Sequence, residues 1–323
     1  MQKLLRLLLP ASVIYVLLCA AAAVFLAYTT LHPNRRPLPA DAEVQIRDTA
    51  ALLQSEVADV QIPAVDNAAL SAWFIHPRYS NGDAVILLHG LGDNRLGTIG
   101  YAELLLKHGY SVLMPDARAH GASGGRIATY GLIEQDDVRR WFEWLARNEQ
   151  PSCIYALGES MGAAQLLQSL KAESGFCAVI AESPFSSFRE IAYDRIGQQF
   201  HAGPWVGRTI LRPIVEIALG FVRWKYHLNL AEVEPEQVVA QTHVPVLLIH
   251  GQIDGNIPVR HSRRIKLRNA QVVLWEVPGA DHCGAISVAP KEFFSKVLNW
   301  FAAHRRVEPS RGQLLVTTES VTN

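Results

Sequence analysis

From position 56 onwards, short apolar runs alternate with longer stretches of helical periodicity. Runs of this length, bounded by turn residues, are typical of buried strands. Their alternation with helical stretches predicts an α/β fold with a mainly parallel sheet flanked by helices. We predict eight strands, at Glu56–Ile62, Leu70–His76, Ala84–Leu88, Tyr110–Met114, Cys153–Leu157, Cys177–Ala181, Val246–His250 and Val272–Val277. Helices are predicted at Thr98–His108, Leu132–Arg147 and Pro290–His304.

Two places depart from this alternation. The first two strands are separated by Asp66 and Asn67 and read as an antiparallel hairpin. The connection from Ala181 to Val246 is far longer than a normal strand-to-helix loop and carries helical periodicity. It predicts a helical cap inserted at about 185–243.

The N-terminal segment Leu7–Leu31 is almost wholly apolar, with Lys3 and Arg6 before it and Arg35 and Arg36 after it. This length is sufficient to span a bilayer, and we interpret it as an uncleaved, single-pass signal anchor. Two alternatives are cleavage after the Ala-rich stretch at 20–23 and a buried helix of a soluble protein. With the usual orientation of a first helix, the rest of the chain lies outside the cytoplasm.

These patterns divide the chain into four parts. Residues 1–31 form the predicted transmembrane helix, 32–55 a juxtamembrane linker, 56–306 the α/β domain, and 307–323 a polar, disordered tail. A short helix is expected near the end of the linker, over Asp41–Ser55. Because the anchor lies well before the first predicted strand, we expect the domain to fold without residues 1–31.

Composition narrows the class of protein. Of 323 residues 49% are hydrophobic, and 30 basic residues balance 30 acidic ones, with no basic stripe along the chain. Nucleic acid is therefore not an expected partner. Cys19 lies in the anchor, Cys153 and Cys177 in predicted strands, and Cys283 beside a histidine, which predicts no disulfide framework. The spacing of His, Cys, Asp and Glu predicts no metal site.

The strongest chemical motif is Gly158-Glu159-Ser160-Met161-Gly162, which joins a predicted strand directly to a helical stretch. Such a turn holds a serine in a strained backbone geometry with its hydroxyl exposed above the sheet. Glycines on either side allow neighbouring backbone to approach closely. Ser160 is therefore the candidate nucleophile.

A serine hydroxyl needs a histidine to take its proton and an acid to orient that histidine. Asp254 follows the penultimate predicted strand and His282 follows the last, in the order Ser, Asp, His. The rival acid is Glu182, after an earlier strand, and the rival histidine is His250. Asp281 is less suitable because its position next to His282 makes alignment with the ring awkward.

The reaction also requires two main-chain N–H groups directed at the developing oxyanion. One candidate is the N–H of Met161, immediately after the nucleophile. The other is the N–H of Leu91, in the glycine-rich loop Leu88–Gly92 that follows the third strand.

Together these motifs resemble the α/β-hydrolase superfamily, and within it the serine aminopeptidase and Bem46-like groups. The resemblance extends over about 56–304. In the motif Pro115–Ser123, similar proteins usually have glycine where this chain has Ala119. The motifs are His89–Asn94, Pro115–Ser123, the serine turn, Gly251–Pro258 and Gly279–His282. The resemblance implies a serine hydrolase that forms an acyl-enzyme and needs no cofactor.

The substrate is less well defined, because the same triad cleaves esters, thioesters and amides. We expect carboxylic esters with an apolar acyl group, which includes lipid-like esters. The alternatives are a small-peptide serine peptidase and, third, a catalytically dead membrane-tethered scaffold. Oligomeric state is not defined by the sequence.

The predicted cap has a basic, amphipathic segment. Its apolar stripe consists of Ile214, Ile217, Ala218 and Phe221, and its charge comes from Arg208, Arg212, Arg223 and Lys225 with only Glu216 opposing. We interpret it as a lid over the active site. A second interpretation is that the segment, with Trp205 and Trp224, also rests on the membrane surface.

Overall fold

The computed structural model describes residues 2–306, apart from the side chains of residues 2–9, 11 and 204. Its strands are β1 (Ser55–Pro63), β2 (Ala69–Pro77), β3 (Asp83–Leu88), β4 (Ser111–Pro115), β5 (Cys153–Glu159), β6 (Ala178–Glu182), β7 (Val246–Gly251) and β8 (Val273–Val277). Its α-helices are α1 (Gln2–Leu31), α2 (Ala42–Leu52), α3 (Ile99–Leu106), α4 (Glu134–Asn148), α5 (Met161–Ser169), α6 (Phe188–Gln199), α7 (Pro204–Arg208), α8 (Arg212–Tyr226), α9 (Pro235–Gln241), α10 (Arg260–Arg268), α11 (Ala285–Val288) and α12 (Pro290–Ala303). The predicted tail at 307–323 lies outside the described residues.

The eight strands form one sheet in the order β1-β2-β4-β3-β5-β6-β7-β8. Strands β3 to β8 are parallel to one another, while β2 is antiparallel to both β1 and β4. The opening hairpin pairs Ser55 with Pro77 and Pro63 with Ala69. The predicted α/β fold with a mainly parallel eight-stranded sheet is therefore confirmed.

Helices cover both faces of the sheet because the central strands are buried on both sides. On one face the core contains Val85 and Leu87 of β3 and is covered by α2, α3 and α12. On the other face Ala84 and Ile86 pack beneath α4, α5, α9 and α10. This alternation along a single strand is the period-two pattern of a sheet between two helical layers.

The cap occupies the long connection between β6 and β7. Helices α6, α7 and α8 form its body, and α9 returns to pack beside α5 and α10. The expectation that only Glu216 opposes the basic residues of this segment was wrong, because Arg208 forms ion pairs with Glu190 (2.7 Å) and Asp194 (2.9 Å). The exposed basic side chains at the end of α8 are Arg223 and Lys225.

Helix α1 contains one stretch, Ser12–Leu31, that is long and apolar enough to cross a membrane. This helix also packs along α8. Its buried face is a stripe at four-residue spacing, against α8 residues that are themselves buried. The stripe consists of Cys19, Ala23, Ala27 and Leu31, and the α8 residues are Ile214, Val215, Ala218 and Val222. The cap therefore covers part of its apolar surface with α1.

The segment assigned to the linker contains helix α2. Two of its side chains, Ile46 and Ala50, are buried in the core on the same face of the sheet as α3 and α12. The packed unit therefore includes residues that precede the first strand.

Cys153 and Cys177 form a disulfide, with their Cα atoms 5.7 Å apart. The sequence predicted no disulfide framework and so missed this bond, which forms because β5 and β6 are neighbours in the sheet and the two cysteines lie at their adjacent amino ends. The bond is at the opposite edge of the sheet from the residues that follow the carboxyl ends of β5 and β7.

Candidate active site

Ser160 occupies a strained turn between β5 and α5, with φ 52° and ψ −114°. The turn is tight enough that its glycines are required. A β-carbon on Gly158 would lie 2.6 Å from the carbonyl oxygen of Gly162, and one on Gly162 would collide with the carbonyl oxygen of Leu88. Strain of this kind is maintained only where the surrounding structure enforces it, and here it presents the serine hydroxyl above the sheet.

The structure brings Ser160, His282 and Asp254 together, although they come from three separate loops. His282 Nε2 lies 2.8 Å from Ser160 Oγ, and His282 Nδ1 lies 2.9 Å from Asp254 Oδ2. The three loops follow β5, β7 and β8, which are parallel strands whose carboxyl ends meet at one edge of the sheet. The two distances are those of a nucleophile, a general base and an orienting acid.

Asp254 is buried and has all its hydrogen-bond capacity directed at defined partners. Its Oδ1 accepts from the amides of Asn256 (2.9 Å) and Ile257 (2.8 Å), while Oδ2 faces both His282 and His250. Burial alone would raise the pKa of Asp254, but hydrogen bonds from His250 and His282 outweigh burial and hold it below its usual range. The carboxylate therefore stays ionised beside the His282 ring.

The rival residues occupy other positions. Glu182 Oε1 accepts from the amide of Ala285 at 3.1 Å and does not contact the His282 ring. Asp281 Oδ1 accepts from the main-chain amides of His282 and Gly255, so it shapes the loop. His250 is fully buried, and its Nε2 lies 2.7 Å from the Ile257 carbonyl and 3.3 Å from Asp254 Oδ2. His250 therefore contacts the carboxylate of Asp254, which the sequence did not predict.

Leu91 and Met161 both line the same cavity as Ser160. Within the described residues, neither main-chain N–H is paired with an acceptor, which leaves both free to bind an oxyanion. The loop that carries Leu91 is braced by His89, whose Nε2 accepts from the amide of Ala117 at 3.0 Å. Its Nδ1 lies 2.8 Å from the Gly90 carbonyl. Because His89 is buried, its pKa is lowered, and the neutral ring fits both contacts.

A buried cluster of Tyr101, Glu159 and Glu182 close to Ser160 was not expected from the sequence. Tyr101 Oη lies 2.9 Å from Glu182 Oε2 and 3.2 Å from Glu159 Oε2, and Glu159 Oε1 accepts from the Gly90 amide at 3.3 Å. A single phenolic proton can serve only one carboxylate, so the other contact is satisfied when a carboxyl is protonated. Burial raises the pKa of both carboxyls, that of Glu182 to about 7.

Ala119 has a left-handed backbone, with φ 60°, and is buried. Its amide donates to the Gly124 carbonyl at 2.8 Å, which closes the loop in which it sits. Left-handed backbone favours glycine, because a β-carbon crowds the following carbonyl. This explains why glycine is usual at this position of the motif and why alanine there is strained.

Above the serine lies a cavity of about 580 Å³. It is lined by the cap, the Leu91 loop and the end of α1, and its lining is mainly apolar. Contributing residues include Leu26 and Thr30 of α1, Phe188 and Ile191 of α6, and Val215 and Leu219 of α8. One cation, Arg195, also lines it. A volume of this size accommodates a small molecule or a single acyl chain.

Comparison with known proteins agrees with this architecture. A family model described as the alpha/beta hydrolase fold matches residues 83–195. The uncharacterized protein YqkD of Bacillus subtilis is 30% identical over 215 residues, which are 66% of this chain and 68% of YqkD. YfhR of Escherichia coli K12 is 26% identical over 237 residues, 71% of this chain and 74% of YfhR. The chain therefore belongs to the α/β-hydrolase fold family.

Among solved structures, the chain is similar to the esterase Pf2001 of Pyrococcus furiosus. That match has a TM-score of 0.67 and 27% sequence identity, and it covers 85% of this chain and 100% of the esterase. An acylaminoacyl peptidase of Pyrococcus horikoshii is similar in fold, with a TM-score of 0.60 at 18% identity, over 83% of this chain and 44% of the peptidase.

Proposed function

We propose that this protein is a serine hydrolase that cleaves carboxylic esters with an apolar acyl group through an acyl-enzyme. The observation that carries the proposal is the continuous hydrogen-bonded series Ser160, His282 and Asp254 at the base of an apolar cavity. Similarity to an esterase at 27% identity over the whole of that protein supports the ester as substrate.

In the proposed mechanism, Ser160 Oγ attacks the ester carbonyl carbon while His282 Nε2 takes the serine proton. The N–H groups of Leu91 and Met161 stabilise the oxyanion that forms. His282 then returns the proton to the departing alcohol, and Asp254 stabilises the imidazolium in between. A water molecule, activated by the same histidine, hydrolyses the acyl-enzyme. The chemistry uses side chains, main-chain amides and water, so no cofactor is needed.

We also propose that α1 is an uncleaved signal anchor and that the catalytic domain lies outside the cytoplasm. The apolar stretch Ser12–Leu31 supports a membrane span, and the disulfide between Cys153 and Cys177 supports an oxidising compartment. Assignment to the serine aminopeptidase and Bem46-like groups, and the domain boundaries at 31, 55 and 306, stay predictions from the sequence.

A second candidate function is cleavage of small peptides or aminoacyl amides. The observation that favours it is the shared fold with an acylaminoacyl peptidase. The largely apolar lining of the cavity favours the ester, because Arg195 is its one charged side chain among the described residues.

The test uses the full-length protein in detergent. Graded p-nitrophenyl esters and aminoacyl p-nitroanilides are compared, and a fluorophosphonate probe is used to label the nucleophile. Ser160→Ala is expected to lower ester turnover on the order of a thousandfold and to abolish labelling. Ser295→Ala, an exposed serine on α12, is the matched control. Undiminished ester cleavage by a folded Ser160→Ala protein would refute the proposal, and faster cleavage of the anilides would favour the peptidase.

A further inference from the structure

The end of the apolar N-terminal helix is built into the catalytic domain. Helices α1 and α8 run in the same direction, because Tyr15 Oη donates to the Ile210 carbonyl at 2.6 Å and His32 contacts Tyr226 at the other end. The buried stripe of α1 at the contact carries small side chains, at Cys19, Ala23 and Ala27. Small residues at four-residue spacing let two helices approach closely, as membrane helices do.

Hydrogen bonds hold the last turn of α1 over the active site. Tyr130 Oη donates to the Thr30 carbonyl at 2.9 Å, and the amide of Ala128 donates to the Leu31 carbonyl at 2.9 Å. Tyr130 itself lines the cavity and its ring packs against Phe188 of the cap, with the centroids 5.0 Å apart. The helix end is therefore positioned by the same residues that shape the cavity.

Four residues of α1 line the cavity that contains Ser160: Leu26, Ala27, Thr29 and Thr30. Val215, Ala218 and Leu219 of the adjoining helix α8 line it as well. The cavity is thus bounded by α1 and α8 together. Without α1 it would be open along this side.

The other face of α1 is exposed and apolar. Its side chains include Val16, Leu17, Leu18, Val24 and Phe25, which are 42–70% exposed. The cap adds exposed Ile210, which adjoins Tyr15, and exposed Trp205 in the preceding helix α7. An exposed apolar helix face of this length fits the acyl region of a bilayer.

From these contacts we propose that the end of α1 is a substrate-binding element. It forms one wall of the acyl site, and the substrate is a long-chain ester drawn from a lipid bilayer that the exposed face of α1 contacts. This inference rests on the proposed esterase function and names its substrate class. In it, the acyl chain occupies the cavity lined by α1 and α8 while its carbonyl reaches Ser160.

The test compares kcat/KM for p-nitrophenyl palmitate and p-nitrophenyl acetate, using full-length protein in detergent. Leu26→Trp narrows the cavity, and Leu26→Gln places a polar group in its wall. Each is expected to lower the palmitate-to-acetate ratio by about tenfold, because an apolar acyl site discriminates strongly against lost volume or added polarity. The matched control is Val24→Trp, which faces away from the cavity and should leave the ratio within about twofold.

The outcomes separate the inference from the function on which it rests. If wild-type protein cleaves both esters and neither folded Leu26 variant changes the ratio, the α1 wall is refuted while the esterase stands. An equal change in the Val24→Trp protein would also refute it, since the effect would not belong to the cavity. If the wild-type protein cleaves neither ester and is not labelled by a fluorophosphonate, the proposed function itself fails. Leu26→Gln keeps the test decisive if Leu26→Trp does not fold.

Discussion

Tyr130 donates a hydrogen bond of 2.9 Å to the main-chain carbonyl of Thr30 and thereby joins the wall of the cavity above Ser160 to the end of the apolar N-terminal helix. The contact spans 100 residues of sequence. The end of α1 is therefore part of the folded unit that contains the cavity, and removing α1 is expected to change the cavity.

Deletion of residues 1–31 is expected to leave Ser160, His282 and Asp254 in place, since their three loops follow strands of the sheet. It would also open the cavity and expose Ile214, Val215, Ala218 and Val222 of the cap. We expect acetate turnover to persist and the palmitate-to-acetate ratio to fall roughly tenfold, together with a lower Tm. Deletion of residues 2–11 is the control, because it keeps Ser12–Leu31. A shortened protein with the wild-type ratio and Tm would show that α1 is only an anchor.

Asp254→Asn is expected to be far more damaging than Glu182→Gln. An amide in place of the Asp254 carboxylate can favour the wrong tautomer of His282, with a loss in kcat on the order of 10⁴-fold where such a change has been made in a triad. Glu182 does not contact the His282 ring, so its amide variant should lose less than about tenfold. The measurement is kcat/KM for p-nitrophenyl acetate in both variants. A larger loss in Glu182→Gln would reassign the acid.

Stability is expected to fall as the pH rises from about 4.5 to about 7, owing to Glu182. Burial raises the pKa of this carboxyl to about 7, so between these values the folded protein binds more protons than the unfolded chain. The contribution of Glu182 to the free energy of unfolding is greatest in acid and is lost as the pH rises through about 7. The total loss is about 3 kcal/mol. Glu182→Gln should therefore reduce the decrease in Tm between pH 5 and pH 8. The same decrease in variant and wild type would contradict this assignment.

Ala119→Gly is expected to stabilise the protein by about 1 kcal/mol, since an L-residue in left-handed backbone costs about 1–2 kcal/mol and part of the gain is offset by the flexibility of glycine in the unfolded chain. The control is Ala122→Gly in the same loop, whose alanine does not have a positive φ and which should be slightly destabilised. Urea unfolding measures both. A loss of stability in Ala119→Gly equal to that in the control would show that Ala119 carries no strain.

Loss of the disulfide is expected to destabilise the fold. Cys153 and Cys177 are 24 residues apart, and closing a loop of this length is worth about 3 kcal/mol. Replacing both by serine should lower the free energy of unfolding by about that amount. Reducing agent should lower the Tm of the wild type but not that of the double variant. A wild-type Tm unaffected by reductant, with two free thiols detected, would mean that the bond does not form.

Local pattern was sufficient for much of this protein. The alternation of apolar runs with helical stretches predicted eight strands, because burial on both faces of a parallel sheet requires a run of apolar residues in each central strand. The long connection with helical periodicity predicted the inserted cap. The serine turn and the residues after β7 and β8 could be picked out because chain order and strand ends constrain which side chains can meet. Ser160, His282 and Asp254 lie within hydrogen-bonding distance of one another as a result.

Contacts between distant segments were decided only by the tertiary structure. Cys153 and Cys177 pair because β5 and β6 are neighbours in the sheet. The apolar pattern of each strand does not indicate which strand lies next to it. His250 behind Asp254, and Tyr101 between Glu159 and Glu182, are ordinary residues in sequence that acquire a role through burial. The apolar character of α1 indicated a membrane helix, but the same property also allows it to pack on α8 and line the cavity. Hydrophobicity is not directional, so composition alone cannot say which surface a helix will cover.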